Sequence, residues 1–343
     1  MINIRREGII LGKTERSFEN EGVMNPAVIT RDNTVHMFYR AVKKGNYSTI
    51  GYCRLEGPLQ IVRRNELPLV SPQFNYERQG VEDPRIVRIG SVYYMSYTAY
   101  DGKNAFGALA ISDDLVHFQK QGIITPVFSY AEFAELVASQ EHLTDKYFRT
   151  YNKRETENET GEKLYLTDKN VVFFPRRIHG KLYFMHRIKP EVQLVAVNDL
   201  EELNRDFWED YFRHLDSHIL LRSRYAHESS YIGAGCPPIE TPEGWLLIYH
   251  SVYDTPEGYV YSACASLLDL QNPEIELSRL PYPLFSPEMN YELSGVVNRV
   301  CFPTGTALFD DRLYIYYGAA DQYIACASVV LQDLLNELIR HKV

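Results

Sequence analysis

NPAVITRDNTVHMFYRAV (residues 25–42) sets a proline-anchored turn ahead of a short polar or Gly-containing hinge and then an aromatic-rich run, and that order returns four more times. The other copies are DPRIVRIGSVYYMSYTAY (83–100), FPRRIHGKLYFMHRI (174–188), PPIETPEGWLLIYHSV (237–252) and FPTGTALFDDRLYIYYGAAD (302–321). Each reads as a β-hairpin anchored by a proline turn. The prolines fall at 26, 84, 175, 238 and 303, so the spacings are 58, 91, 63 and 65 residues. One long interval aside, each spacing suits one four-stranded unit, and five such units would use the whole chain. The expectation is all-β: a single five-bladed β-propeller over residues 1–343.

A second repeat supports this. SPQFNYERQGVEDP, from Ser71, matches SPEMNYELSGVVNR, from Ser286, at Ser, Pro, Asn, Tyr, Glu, Gly and Val. The long interval holds an insertion at about residues 128–166. Ser129 to Arg149 has helical spacing at Phe133, Leu136 and Val137, and polar Asn152 to Lys163 reads as a mobile loop. Val329, Val330, Leu334, Leu335, Leu338 and Ile339 predict a closing C-terminal helix.

Composition sets bounds on function. The chain is 45% hydrophobic and 24% charged, an ordinary globular balance. Lys and Arg total 36 against 45 Asp and Glu, a net charge of −9, which disfavours nucleic acid and anionic membranes as partners. No stretch has the length of a membrane span or the apolar core of a signal peptide, so a cytoplasmic location is expected. Five cysteines without a CxxC pair read as reduced core thiols. The 26 tyrosines against 2 tryptophans favour half-buried strands.

Polar residues beside the repeat prolines and at the ends of the aromatic strands are the site candidates. Asn25, Glu82, Asp83 and Arg85 stand near the turns. Arg40, Asp101, His186 with Arg187, His250 and Asp321 stand at or beyond the strands. A purely structural repeat would fill equivalent positions alike; these differ, as a site assembled from all repeats would require.

Four segments together resemble glycoside hydrolase family 130, the mannoside phosphorylases and related β-mannosidases. They are GVEDPRIVRIGSVYYMSYTAYDG (80–102), FFPRRIHGKLYFMHR (173–187), IGAGCPPIETPEGWLLIYH (232–250) and residues 302–321. The resemblance spans about residues 20–330. It implies a five-bladed propeller with an axial sugar site, and an inverting reaction on β-mannosides. Asp101, in TAYD, matches the family's general acid, which acts through the 3-hydroxyl of the mannose; its plain alternative is a turn aspartate before Gly102. Asn25, Arg40, Asp83, His186 and Asp321 match positions lining the mannose subsite, and Tyr100, Lys169, Arg187 and His250 complete the expected binding set.

Two departures bear on the reaction. Phosphorolysis needs cations to hold phosphate. The resemblance to the family's phosphorylases implies a Lys or Arg ahead of IGAG, where Tyr231 stands, and an Arg after Tyr261, where Ser262 stands. Glu228, in HES, offers a carboxylate that could activate water instead. The sequence therefore favours an inverting hydrolase releasing mannose from short β-mannosides, with β-1,2 linkage expected. The alternatives are a phosphorylase that takes inorganic phosphate and yields mannose 1-phosphate, and a non-catalytic sugar-binding propeller. No metal or organic cofactor is expected, and a homo-oligomer is left open.

Overall fold

The computed structural model describes residues 2–140, 142–143, 146–148 and 163–343. All five repeats turn on two residues. Asp32-Asn33 lies between paired Arg31 and Thr34, Gly90-Ser91 between Ile89 and Val92, and His179-Gly180 between Ile178 and Lys181. Pro242-Glu243 lies between Thr241 and Gly244, and Asp310-Asp311 between Phe309 and Arg312. Asp32, Gly90, His179 and Asp310 have positive φ, the conformation that lets a two-residue turn follow the strand twist.

Each hairpin is the inner half of a four-stranded antiparallel meander. Unit 1 comprises Gly22–Arg31, Thr34–Lys43, Tyr47–Glu56 and Gln60–Arg64, and unit 2 Gly80–Ile89, Val92–Tyr100, Ala105–Ser112 and Gln119–Ile123. Unit 3 comprises Lys169–Phe173, Leu182–Arg187, Val192–Val197 and Ile219–Leu221. Unit 4 comprises Tyr231–Ala234, Gly244–Thr255, Gly258–Leu268 and Glu276–Arg279, with Ile239–Thr241 paired beside them. Unit 5 comprises Cys301–Phe309, Arg312–Ala319 and Tyr323–Val330, and takes its outer strand, Arg5–Leu11, from the other end of the chain. Units 1 and 2 share one sheet only through a single parallel bridge, Ser48 to Gly80.

The cores lie between neighbours. Phe38 and Ile50 of unit 1 cluster with Met95 and Ala108 of unit 2, and Leu109 of unit 2 with Phe173 and Phe184 of unit 3. Met185 and Leu194 of unit 3 cluster with Trp245 and Leu247 of unit 4, and Leu246 and Ala265 of unit 4 with Ile315 and Ala325 of unit 5. Tyr316 and Ile324 of unit 5 return to Met37 and Cys53 of unit 1. Each fully buried Leu, Ile, Val or Phe in these interfaces contributes about 1.5–3 kcal/mol.

Four units share a buried anchor. A glutamate just ahead of the first strand accepts a bond from a tyrosine hydroxyl of the second strand and meets a cation of the outermost strand. The sets are Glu19 with Tyr39 and Arg64, Glu77 with Tyr97 and Lys120, Glu228 with Tyr249 and Arg279, and Glu292 with Tyr317 and Arg6. All four carboxylates are fully buried, where a charge persists only when paired. The NYE repeat at Asn75 and Asn290 contains two of these anchors.

Several expectations need adjustment. Pro26, Pro84 and Pro303 lie inside first strands at register shifts rather than in turns, because a strand accommodates a proline at a bulge. Val329 and Val330 belong to the strand Tyr323–Val330, and the closing helix is Leu331–Ile339. The expected helix in the insertion is Tyr130–Val137, capped by Ser129; of the expected mobile loop, residues 152–162 lie outside the described residues. A helix not foreseen, Arg205–Arg213, packs Phe212 edge-on against Phe133 at 5.0 Å. The five cysteines are buried and unpaired. Among the described residues, no helix is long and apolar enough to cross a membrane.

Candidate active site

The register shift in the first strand builds the floor of the site. At that shift Asn25 (φ 50°), Asp83 (φ 48°) and Asn170 (φ 58°) adopt the left-handed conformation, which Asn and Asp accept more readily than other side chains. The same residue type thus supplies the kink and the polar group. All three face a cavity of about 410 Å³, within the range of a small-ligand site, whose lining comes from all five units. Gly318 is required opposite Asn25, because a Cβ there would stand 2.1 Å from the Asn25 Oδ1.

Seven expected residues line this cavity: Asn25, Arg40, Asp83, Tyr100, Lys169, Arg187 and Asp321. Asn25 Nδ2 donates to Asp83 Oδ1 at 2.7 Å. Arg40 donates to Glu82 at 2.7 Å and to Ser48 Oγ at 2.9 Å, and lies 3.6 Å from Asp83. Burial pushes the Asp83 carboxyl up, but Arg40, Lys169 and the Asn25 bond outweigh it and hold the group below its ordinary range. Asp321 goes the other way. Burial, opposed by Arg40 and reinforced by Asp83, pushes it up to about 6. One wall therefore holds two carboxylates of opposite tendency around one guanidinium.

The lining also holds cations. Arg187 lies 5.1 Å from the centre of the Tyr231 ring and Lys189 lies 3.7 Å from it, both in cation–π range. Tyr231 and Tyr261 share a 2.5 Å hydroxyl contact. Lys169 lies 3.6 Å from Glu82. Two donors in the lining, Arg187 Nε and Asn170 Nδ2, are buried with no hydrogen-bond partner among the described residues. A buried donor left unpaired costs about 1–3 kcal/mol, which a ligand acceptor would recover.

Four expected residues are placed differently. Asp101 does not itself line the cavity, although Tyr100 and Lys103 on either side do. Its Oδ1 accepts from the amides of Lys103 and Asn104 at 2.8 and 2.6 Å, so the turn role is real, while Oδ2 carries a longer 3.2 Å bond from Asn104. His186 and His250 are fully buried behind the wall. His250 Nε2 meets Arg187 at 3.2 Å, and burial, with Arg187 and Arg85, drives its pKa well below the usual value, so it adds no charge. Glu228 is away from the cavity: it is the unit 4 anchor, its oxygens taken by Tyr249, Arg279 and the amides of Arg224 and Tyr225. The general-base expectation for Glu228 therefore fails on geometry.

The sequence missed Lys103, Asn170, Lys189 and Phe302 as lining residues. Asn170 had a signal: Lys-Asn-Val at the unit 3 shift corresponds to Met-Asn-Pro and Glu-Asp-Pro in units 1 and 2, but the repeat beginning at Phe174 concealed it. Among the described residues, no three His, Cys, Asp or Glu side chains are grouped to hold a metal ion.

Residues 5–340 match the family described as beta-1,4-mannooligosaccharide phosphorylase, glycoside hydrolase family 130. The chain belongs to that family. It is 29% identical over 347 residues to the 1,2-beta-oligomannan phosphorylase of Thermoanaerobacter sp. (strain X514), covering 97% of this chain and 99% of that protein. It is 30% identical over 331 residues to the beta-1,2-mannobiose phosphorylase of the same organism, covering 92% of each. The fold is similar to that of the beta-1,2-mannobiose phosphorylase from Listeria innocua solved with beta-1,2-mannobiose, with a TM-score of 0.71 at 22% identity over 98% of this chain and 99% of that one.

Proposed function

We propose that this family 130 member is an inverting β-mannoside phosphorylase acting on short β-1,2-mannosides, and that its five meanders are the blades of one propeller around the cavity. The cyclic order of the interfaces and the N-terminal strand completing unit 5 support the architecture.

The cationic wall carries the choice of reaction. Tyr231 and Ser262 are neutral, and Ser262 is buried on Ser286 at 2.9 Å, off the cavity. Arg187 and Lys189 nevertheless flank the Tyr231 ring, and Lys169 stands nearby, so the charge expected at position 231 arrives from unit 3. Such a set of cations suits a phosphate dianion. The curated relatives, phosphorylases by name, support the same reading over the expectation of hydrolysis.

In this reading Asn25, Arg40, Asp83 and Asp321 hold the mannose. Phosphate, held by Lys169, Arg187 and Lys189, attacks C1 from the face opposite the leaving oxygen. As the C1–O bond breaks and the new C1–O–P bond forms, Asp101 delivers a proton to the leaving oxygen through the sugar's 3-hydroxyl. No general base is required, because phosphate is already the nucleophile. Incubation with β-1,2-mannobiose with and without phosphate tests this: mannose 1-phosphate and mannose should appear with phosphate and neither without it. Mannose formed at the same rate in both mixtures would refute it.

A further inference from the structure

Unit 3 departs from the anchor found in the other four. At the tyrosine position it places His186, which pairs with Asp168, the residue immediately ahead of the first strand; both are fully buried, with the ring Nδ1 2.7 Å from Asp168 Oδ2. No cation of its outer strand meets Asp168. The second carboxylate oxygen instead accepts from the backbone amide of Arg187 at 3.2 Å. The ring's other nitrogen lies 2.9 Å from the Tyr211 hydroxyl, which donates to Leu194 O at 3.1 Å. Both ring nitrogens are thus engaged, and the ring is fixed in its plane.

The location of this exchange matters. Lys169 follows Asp168, Arg187 follows His186, and Lys169 and Arg187 are cross-strand partners. The ladder is broken immediately beyond them, between Lys169 and Val172, where Asn170 adopts positive φ. Regular pairing therefore ends at the pair whose cations enter the cavity. The Asp168 carboxylate reinforces that junction, joining its own strand to the ring and the amide of the next.

We propose that Asp168 and His186 are positioning residues for the anion-binding wall, a structural anchor converted in one unit into the support for Lys169 and Arg187. This rests on the phosphorylase reading above. In unit 2 the residue after the anchor tyrosine is Thr98, which brings no charge, so Glu77 serves as a matched structural control.

Asp168→Asn and His186→Gln, both close in size to the originals, should each raise the KM for phosphate on the order of ten- to a hundredfold, as loss of supporting hydrogen bonds does at other charged sites. The KM for mannobiose should change by less than about threefold. Glu77→Gln should lower the melting temperature without separating the two KM values. The proposal is overturned if the unit 3 variants shift both KM values together, or lose only melting temperature as Glu77→Gln does. If wild-type turnover needs no phosphate, the phosphorylase reading falls and this inference with it. If turnover needs phosphate and the variants keep its KM, only this inference falls.

Discussion

The Tyr249 hydroxyl donates to Glu228 at 2.6 Å, and that bond defines Glu228 as part of the frame of unit 4. Its other oxygen accepts from two backbone amides, and Arg279 lies 3.3 Å away. Glu228→Gln would turn an NH2 group toward an amide or a hydroxyl that now finds an acceptor. The expected cost is about 1–3 kcal/mol of stability. Turnover by the folded variant should stay within a few-fold of wild type. Calorimetry with steady-state kinetics checks both, and a hundredfold loss of turnover in a folded protein would reinstate Glu228 as a catalytic group.

Asp101 combines two roles that one substitution can separate. Asparagine keeps Oδ1, so the bonds from Lys103 and Asn104 persist, but it cannot give up an acid proton. Asp101→Asn should lower turnover by about 10² to 10⁴ with only a modest loss of melting temperature, from the long bond that Asn104 Nδ2 makes to Oδ2. Asp101→Ala should lose both turnover and some stability. If the asparagine variant turns over normally, the proton comes from another group.

Lys189 is the cation that most directly compensates for the neutral residue at position 231. With its ammonium 3.7 Å from the Tyr231 ring centre, Lys189→Met keeps the stem and removes the charge. A charge-assisted hydrogen bond is worth about 1.5–3 kcal/mol, so the KM for phosphate should rise by roughly ten- to a hundredfold. Tyr231→Phe keeps the ring as a platform and removes the contact with Tyr261, and should weaken phosphate less. Initial rates against phosphate concentration distinguish the two variants, and equal effects would show that the hydroxyl pair rather than Lys189 carries the binding.

These placements show what a linear sequence could and could not convey. The hairpins were legible because each is local: aromatic strands, two-residue turns and prolines recur at fixed order. Asn25, Asp83 and Arg187 were legible as residues of the cavity lining because they sit at repeated positions yet differ in chemistry. Glu228 misled because HESS is short, and its likeness to the NYE segments at Asn75 and Asn290 emerges only when Tyr249 and Arg279 are seen to close on it. Lys189 was hidden for the opposite reason. It lies outside any repeat, and only the approach of unit 3 to unit 4 brings it over Tyr231.

The two cavity carboxylates should leave opposite marks on the pH dependence of stability. Asp321 titrates at about 6 in the folded protein and near 3.9 in the unfolded chain. Between those values the folded form retains a proton that the unfolded form releases. Its contribution to stability is therefore complete below about pH 4 and is lost as pH rises through 6. Asp83 is held below its ordinary range, so its contribution is present above about pH 4 and is lost as pH falls through its lower folded value. Asparagine at either position tolerates the left-handed backbone, at φ 50° for Asp321 and 48° for Asp83, so the charge changes without a new strain. Asp321→Asn should gain melting temperature relative to wild type at pH 7.5 and lose that advantage at pH 4. Asp83→Asn should lose most at pH 7.5, where Arg40 and Lys169 would face a neutral partner, and least near pH 3. Calorimetry across that range decides the matter. Parallel curves for Asp321→Asn and wild type would mean that Asp321 ionises alike in the folded and the unfolded chain, with Arg40 offsetting the effect of burial.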